Sequence, residues 1–166
     1  MVALLPRLWR FAMSQSRQRI LAEDLVQQTC QRALERRPQF IPGTRLDHWM
    51  FAILASVWKN HLRAEKVRRG LGKVDAADLW DDGQIGKVDQ AILKSQLMTA
   101  VTALPDWQRN PIFLVYVEQL SYQDAADVLD IPLGTVMSRL AAAKTALASI
   151  LNPTVPRLPQ DRSYHD

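Results

Sequence analysis

Cysteine is nearly absent from this sequence, and its scarcity limits the chemistry available to the chain. Cys30 is the only cysteine among the 166 residues, so no disulfide can form within one chain. A zinc site is not indicated either, because cysteine and histidine do not cluster at metal-ligand spacing. At helical spacing Cys30 has the apolar neighbours Val26, Ala33 and Leu34, which favours a buried thiol over a redox sensor.

Long apolar runs and secretory features are missing as well. The longest nearly apolar stretch, from Trp49 to Trp58, reaches about half of the ~20 residues that a membrane span requires. In residues 1–10 the short apolar run is broken by Pro6 and Arg7, and no signal-peptide cleavage pattern follows. These absences predict a cytoplasmic protein.

The usual signatures of an enzyme are also lacking. There is no glycine-rich phosphate loop, so a nucleotide site is not indicated. The histidines His48, His61 and His165 have no cysteine, serine or carboxylate at spacings that build a nucleophilic or metal site. We therefore expect a protein that is not an enzyme, with no metal, no cofactor and no small-molecule substrate.

What the chain does contain is enough apolar material for a core and an uneven distribution of charge. Hydrophobic residues make up 48% of the chain and charged residues 23%, which argues against wholesale disorder. The formal net charge is +4. Residues 1–70 hold 13 Lys and Arg against 5 Asp and Glu, a net of +8, whereas residues 71–166 hold 8 against 12, a net of −4. This split indicates two functional units, the first of which faces a polyanion.

Apolar residues repeat at spacings of three and four along most of the chain, and this pattern predicts helices without strands. A first helix is predicted over about Val2–Ser14 and a second over about Ala22–Arg36, before the turn at Pro42-Gly43. The third and longest helix is predicted to begin with Thr44 as its N-cap and to continue to about Arg69.

Residues 70–88 differ in character, because they contain glycine and several aspartates and show little periodicity, and they are predicted to form a flexible linker. Four further helices are predicted beyond it: Val88–Ala103, a helix from Asp106 that contains Pro111, a short helix to Leu129 that opens on a capping box at Ser121 and Asp124, and Leu133–Leu151. Residues 152–166 contain three prolines and are predicted to be disordered.

The last two predicted helices form the sharpest local pattern. A short helix, a tight turn over residues 130–132 and a longer helix, with apolar residues at the packing positions, are typical of a helix-turn-helix. In that arrangement the backbone N–H groups of Gly134 and Thr135 would lie near a phosphate. The pattern alone also fits an ordinary helical hairpin within a bundle.

The predicted third helix has a basic face. On a helical wheel four cations fall close together opposite the apolar stripe: Arg45, Lys59, Arg63 and Lys66. Such a face suits a phosphate backbone, and charge alone fits a solvated surface equally well. Trp49 and Trp58 lie on or beside the apolar stripe and are assigned to the core. Phe51, at the edge of the stripe, is the better candidate for contact with a nucleobase.

Five short blocks follow one another along the chain with a characteristic spacing. They are Ala-Glu-Asp-Leu-Val-Gln-Gln-Thr (22–29), Trp-Met-Phe-Ala-Ile-Leu (49–54) with Asn-His-Leu-Arg (60–63), Ala-Leu-Pro (103–105), Leu-Ser-Tyr-Gln-Asp-Ala-Ala (120–126) and Ile-Pro-Leu-Gly-Thr-Val-Met-Ser-Arg-Leu (131–140). Together they resemble the extracytoplasmic-function group of bacterial sigma factors, over about residues 3–151. Any single block is weakly specific, and the order and spacing of all five carry the resemblance.

The resemblance implies an all-α protein with two small helical domains. Residues 1–69 would form sigma region 2 and residues 89–151 sigma region 4, with residues 70–88 as the flexible linker and residues 152–166 as a disordered tail. Proteins of this group bind core RNA polymerase and direct it to the promoters of a stress or signal regulon. They are usually held inactive by an anti-sigma factor, often one anchored in the membrane. The implied partners are therefore core RNA polymerase, promoter DNA and an anti-sigma factor.

The resemblance also assigns roles to particular residues. In the group the second helix meets the polymerase, which implies a core-binding set of Glu23, Asp24, Gln27 and Gln28. The third helix contacts and melts the minus-ten element. Together with the basic face and Phe51, this gives the candidates Arg45, Phe51, Trp58, Lys59, Asn60, His61, Arg63 and Lys66. The helix-turn-helix reads the minus-thirty-five element, for which the candidates are Thr135, Ser138, Arg139 and Lys144.

The predicted recognition helix departs from the group's pattern in its charge. Met137, Ala141 and Ala142 stand where relatives often carry basic residues, and residues 95–151 hold three cations against five carboxylates. Few phosphates can be neutralised there, so we expect weak binding to the upstream promoter element unless polymerase tethers this domain.

Two other functions remain open at this point. A sigma-like decoy that sequesters an anti-sigma factor without reading DNA would explain the weakly charged recognition helix, but it has no need for the basic face of the third helix. A helix-turn-helix repressor would bind duplex DNA by itself as a dimer, and it leaves residues 1–70 unexplained.

Overall fold

The structure, a computed structural model, describes residues 2–69 and 88–151, and within these ranges the chain is helical and contains no strand. Seven α-helices follow one another: α1 (Leu5–Ser16), α2 (Arg19–Glu35), α3 (Leu46–Arg68), α4 (Val88–Ala103), α5 (Asp106–Ile112), α6 (Tyr122–Leu129) and α7 (Leu133–Leu151). The predicted all-α class is confirmed. The predicted linker (all but its last residue) and the predicted tail lie outside the described residues.

The first domain consists of α1, α2 and α3, which pack on one another through the apolar positions that repeat at three and four. Its core is formed by Leu8, Phe11, Ala12, Ala22, Leu25, Met50, Ile53, Leu54 and Val57, all buried. Each large apolar side chain buried in this way contributes about 1.5–3 kcal/mol, so this core holds the three helices together. Cys30 packs against it half-buried, and burial raises the pKa of its thiol.

The helix boundaries of this domain differ in two places from those predicted. α1 ends at Ser16, and the C-cap residue Arg17 adopts the left-handed conformation with φ of 56° and donates its backbone N–H to the carbonyl of Met13. As a result α2 begins at Arg19 rather than near Ala22. The predicted N-cap Thr44 was wrong: the Thr44 hydroxyl donates back to the carbonyl of Ile41 at 2.7 Å, and Arg45 is the N-cap residue of α3.

The second domain contains α4, α5, α6 and α7, and the bounds of α4 and α7 agree with the prediction. Pro111 lies inside α5, and the helix gives way to a wider, π-helical turn over Phe113–Val117. Proline removes one backbone donor from α5. In the π-helical turn that follows, the N–H of Glu118 bonds to the carbonyl of Phe113, five residues back, and the N–H of Leu120 bonds to the carbonyl of Leu114, six residues back.

The two domains pack directly on each other, through α1 against α5 and through α3 against α6. The rings of Phe11 and Phe113 stack across this boundary with centroids 5.3 Å apart. Arg17 of the first domain donates to the backbone carbonyl of Leu104 in the second at 3.0 Å. Buried residues of both domains therefore belong to one continuous apolar cluster.

Two kinds of feature are absent from the part of the chain that the structure describes. No helix there combines the length and the apolar composition that crossing a bilayer takes. No group of three or more histidine, cysteine, aspartate and glutamate side chains there could hold a metal ion.

Candidate polymerase and nucleic-acid interfaces

The predicted polymerase-binding residues form a polar strip on α2, in which Glu23, Asp24 and Gln27 are exposed and Gln28 is half-buried. Arg19 donates to Glu23 at 3.0 Å, and Gln28 donates to Asp24 at 2.7 Å, both one helical turn apart. Such exposed pairs contribute a few tenths of a kcal/mol to helix stability, so they orient the side chains and leave the carboxylates available to a partner. The strip can accept hydrogen bonds or cations from a partner.

The predicted basic face of α3 is exposed along most of its length. Five of the predicted residues have exposed side chains: Arg45, Lys59, Asn60, Arg63 and Lys66. His61 is half-buried and lies flat against Trp58, with ring centroids 5.5 Å apart and an interplanar angle of 12°. The face thus presents cations on a regular helical track, as contact with a phosphate backbone requires.

The two aromatic residues among the minus-ten candidates, Phe51 and Trp58, are both buried and do not lie on the exposed basic face. Phe51 is 1% exposed, with its ring edge-on to Phe11 and covered by the guanidinium of Arg7 at 5.4 Å. Its placement at an accessible edge of the stripe was wrong, because α1 packs over that edge. Trp58 is also buried, and in this arrangement neither ring is accessible to a nucleobase.

The second domain places carboxylates against the cations of α3. Arg45 Nη1 lies 4.0 Å from an oxygen of Asp124, and His48 Nδ1 lies 3.4 Å from the other oxygen of Asp124. Further along the helix, Lys59 Nζ is 3.8 Å from Asp130. The basic face is therefore partly neutralised by residues of α6 and of the turn that follows it.

Electrostatics at the start of α3 reflect these pairs. Burial acts to raise the pKa of Asp47, but the hydrogen bonds and the charge of Arg45 outweigh it, and the pKa lies below its usual value. The pKa of Asp124 is lowered as well, chiefly by the hydrogen bond from the hydroxyl of Ser121. Both groups are therefore ionised at neutral pH and attract cations.

The helix-turn-helix is built as the sequence predicts. The Ser121 hydroxyl accepts from the backbone N–H of Asp124 at 3.0 Å, and the Asp124 carboxylate accepts from the backbone N–H of Ser121, which completes the capping box. Asp130 ends α6 in the left-handed conformation with φ of 54°, and the chain turns into α7. Val136 and Leu140 are buried against the rest of the domain, which orients α7.

Three of the four predicted DNA-reading residues, Thr135, Ser138 and Arg139, lie together near the start of α7, and Lys144 lies further along the helix. Ser138 is exposed, whereas Thr135 and Arg139 are half-buried. Lys144 is exposed, but its ammonium lies over the ring of Tyr116 at 5.5 Å. A hydrogen bond to the Tyr116 hydroxyl raises the pKa of Lys144. This lysine therefore already has a partner within the second domain.

Comparisons with known proteins match this architecture. Two family models fit the chain, Sigma-70 region 2 over residues 1–68 and Sigma-70 region 4 over residues 94–147. The ECF RNA polymerase sigma factor EcfG of Rhodopseudomonas palustris (strain TIE-1) is 35% identical over 161 residues, which cover 90% of this chain and 82% of that protein. The chain belongs to the extracytoplasmic-function sigma factors.

Other members of the family are similar over both domains of this sigma factor. The ECF RNA polymerase sigma factor SigC of Mycobacterium tuberculosis (strain CDC 1551 / Oshkosh) is 31% identical over 133 residues, covering 80% of this chain and 71% of that protein. The solved structure of the sigma factor RpoE from Bartonella quintana, in complex with the anti-sigma factor NepR, aligns with a TM-score of 0.76 at 29% identity. That alignment covers 93% of this chain and 95% of the other, so the fold extends over both domains.

In this sigma factor, one cation of region 4 is committed to packing. Arg109 is fully buried and donates to the carbonyls of Leu104 and Gln15 and to the carboxylate of Asp106. Burial lowers the pKa of its guanidinium, and the charge of Asp106 partly offsets this. The sequence offered no signal for this role, since Arg109 follows an ordinary helix start and its partner Gln15 is distant along the chain.

Glu118 of region 4 is a second residue whose role no sequence pattern predicts. Its side chain is 2% exposed, and it accepts a hydrogen bond from Arg7 of region 2 at 2.6 Å. Arg10 approaches its other oxygen at 3.6 Å. No local pattern predicts such a pair, because the partners are more than a hundred residues apart in sequence.

Proposed function

We propose that this sigma factor binds core RNA polymerase through α2, opens the minus-ten element with α3 and reads the minus-thirty-five element with the helix-turn-helix of α6 and α7. Its targets are the promoters of a stress or signal regulon. It acts in the cytoplasm and without catalysis of its own. Residues 1–69 and 89–151 are the two functional domains, joined by a linker at 70–88.

The observation that carries this proposal is the row of exposed cations along α3. This helix belongs to the domain of residues 1–69, where basic residues outnumber acidic ones. Promoter opening requires unstacking of bases, which costs a few kcal/mol per base. Contacts with phosphates and stacking on aromatic or cationic groups offset about 1–3 kcal/mol per base. Lys59, Asn60 and Arg63 are exposed and are the residues proposed to hold the separated strand.

Region 4 supplies little charge for DNA binding by itself. Arg109 is buried and Lys144 lies against Tyr116, which leaves Arg139 as the remaining cation of residues 95–151, and it is half-buried. Each phosphate contact that is missing weakens the salt-dependent part of the affinity. Recognition of the minus-thirty-five element therefore depends on the high local concentration that the polymerase-bound region 2 provides.

An anti-sigma factor, membrane-anchored in many relatives of this group, is the proposed inhibitor. The similarity to a sigma factor solved together with its anti-sigma factor supports such a partner. The polar strip of α2 is the surface where inhibitor and polymerase would compete.

Two pairs of substitutions test the assignment of surfaces. Asp24→Lys with Gln27→Lys should abolish binding to core polymerase, whereas Gln31→Lys, one turn further along the exposed side of α2, should not. Lys59→Glu with Arg63→Glu should leave core binding intact and abolish promoter opening, measured by permanganate footprinting of unpaired thymines. Arg68→Glu with Arg69→Glu, two exposed arginines at the end of α3, makes the same change in net charge and is the matched control.

The results also separate a sigma factor from a decoy. A decoy would bind a co-expressed anti-sigma factor equally well with Lys59→Glu and Arg63→Glu, and the unaltered protein would not bind core polymerase. Loss of opening with core binding retained supports the proposal. Retained opening in the charge-reversed protein contradicts the role assigned to α3.

A further inference from the structure

Three arginines of region 2 converge beside the start of α3 and form an arginine cluster: Arg7, Arg10 and Arg45. Arg7 and Arg10 lie on α1 and Arg45 is the N-cap residue of α3. Within the described residues of region 2, Asp47 is the carboxylate that contacts the cluster. It holds Arg45 by two hydrogen bonds, at 2.9 and 3.3 Å, and Arg7 by two at 3.3 Å.

Region 4 supplies the two remaining carboxylates. Glu118 lies between Arg7 and Arg10 with a side chain that is 2% exposed, and Asp124 faces Arg45 and the half-buried His48. With region 4 in place, three guanidinium groups face three carboxylates. Without it, Asp47 would still pair with Arg7 and Arg45, Arg10 would lose its carboxylate partner, and the three arginines together would exceed Asp47 by two positive charges.

The burial of Glu118 shows that its pairing depends on domain contact. A carboxylate removed from water is strongly unfavourable unless charged partners surround it. Glu118 meets this condition only through Arg7 and Arg10, which belong to the other domain. When the domains separate, Glu118 regains solvent and the two arginines lose their partner.

Guanidinium groups recognise phosphate with the same forked geometry that they use for carboxylates. The cluster also lies at the N-terminus of the 23-residue helix α3, whose dipole favours an anion. Arg45 belongs to the same helix face as Lys59, so an anion on the cluster would continue the proposed track of the DNA strand.

We propose that region 4 masks this arginine cluster in the free protein, with Glu118 and Asp124 in the place of phosphates, and that separation of the domains exposes the cluster to the phosphodiester backbone of single-stranded promoter DNA. Arg7 and Arg10 become DNA-binding residues in the open form. The proposal rests on the proposed function of α3 and adds α1 to the strand-binding surface.

The test measures binding of the full chain to a fluorescein-labelled single-stranded DNA of random sequence, by anisotropy over a range of salt concentrations. Glu118→Gln keeps the size of the side chain and removes its charge. It should tighten binding and steepen the slope of log K against log salt by about 0.7 for each arginine released. Asp127→Asn on α6 is the matched control, because its carboxylate accepts from Gln123 and makes the same change in net charge.

The double substitution Glu118→Gln with Arg7→Gln identifies the arginine that is released. It should lose part of the gain in both affinity and salt slope. Equal effects of Glu118→Gln and Asp127→Asn would overturn the proposal, since net charge alone would then explain them. A gain that survives Arg7→Gln and Arg10→Gln together would also overturn it.

Two further measurements guard against a folding artefact. Small-angle scattering should give a larger radius of gyration for Glu118→Gln than for the unaltered protein, and tighter binding with no change in size would contradict masking by closure.

Asp124→Asn can still accept from the N–H of Ser121 in the capping box. By releasing Arg45 it should give a smaller gain in DNA affinity than Glu118→Gln. Binding of the unaltered protein to core polymerase is measured separately. Loss of core binding would contradict the proposed function, whereas unchanged DNA binding by Glu118→Gln would contradict only the masking of the arginine cluster by region 4.

Discussion

The rings of Phe11 and Phe113 stack across the boundary between region 2 and region 4, with centroids 5.3 Å apart and planes inclined by 25°. Phe11 is fully buried and also meets Phe51 edge-on at 5.5 Å. Because Phe51 belongs to α3, this aromatic chain joins region 4 to the helix proposed to hold the DNA strand. Packing of the domains and access to α3 are therefore linked.

Phe113→Ala should both destabilise the protein and loosen the domain boundary. Removal of a buried phenylalanine ring costs about 3–5 kcal/mol where the cavity cannot collapse, and separation of the domains would relieve part of that cost. The measurement is thermal unfolding by circular dichroism together with small-angle scattering. An unchanged unfolding temperature and an unchanged radius of gyration would show that the stacked pair contributes nothing to closure.

Arg109→Met should destabilise region 4 although the substitute is apolar and of similar length. The carbonyl of Gln15 would lose a donor, and the carbonyl of Leu104 would retain only Arg17. An unsatisfied buried polar group costs about 1–3 kcal/mol. Urea unfolding measures the loss, and Arg63→Met, at an exposed position, should change stability by less than about 0.5 kcal/mol. Equal effects of the two substitutions would contradict the structural role of Arg109.

Ser121→Ala removes the side-chain half of the capping box of α6. The backbone N–H of Asp124 would lose its acceptor, and such a loss costs about 1 kcal/mol. Ser138→Ala serves as the control for stability, since that hydroxyl donates to the carbonyl of Thr135 within α7. The measurement is the unfolding free energy of each variant, and a larger loss for Ser138→Ala would be inconsistent with the cap.

The stability of the protein should fall in acid through Asp47. Its pKa is lower in the folded state than in the unfolded state, so its stabilising contribution is complete above the unfolded value of about 3.9 and is lost as the pH falls through the folded pKa. Asp47→Asn should therefore lower stability at neutral pH and make the decline below about pH 4 shallower. Urea midpoints measured at several pH values provide the test, and parallel curves for both proteins would contradict the prediction.

Local patterns in the sequence predicted much of the fold. The bounds of α4 and α7, the capping box at Ser121 and the turn after Leu129 agree with the structure, since each depends on neighbouring residues alone. The error at Thr44 has a local cause too, because its hydroxyl bonds backward to Ile41 and not forward into α3.

Contacts between the domains could not be predicted from the sequence. The charge split indicated two units but not how they pack, and the pairing of Glu118 with Arg7 spans the chain. Phe51 was misplaced for the same reason, because a helical wheel does not show that α1 covers the edge of the stripe. The roles of the exposed residues on α2, α3 and α7 remain predictions.

The most direct test of the central claim is run-off transcription by core RNA polymerase on a library of bacterial genomic fragments, with and without the full-length protein. A sigma factor of this family should bind core and produce transcripts with new and reproducible start sites. Transcripts that start at the same positions with core alone, together with no detectable binding of the protein to core, would contradict the account.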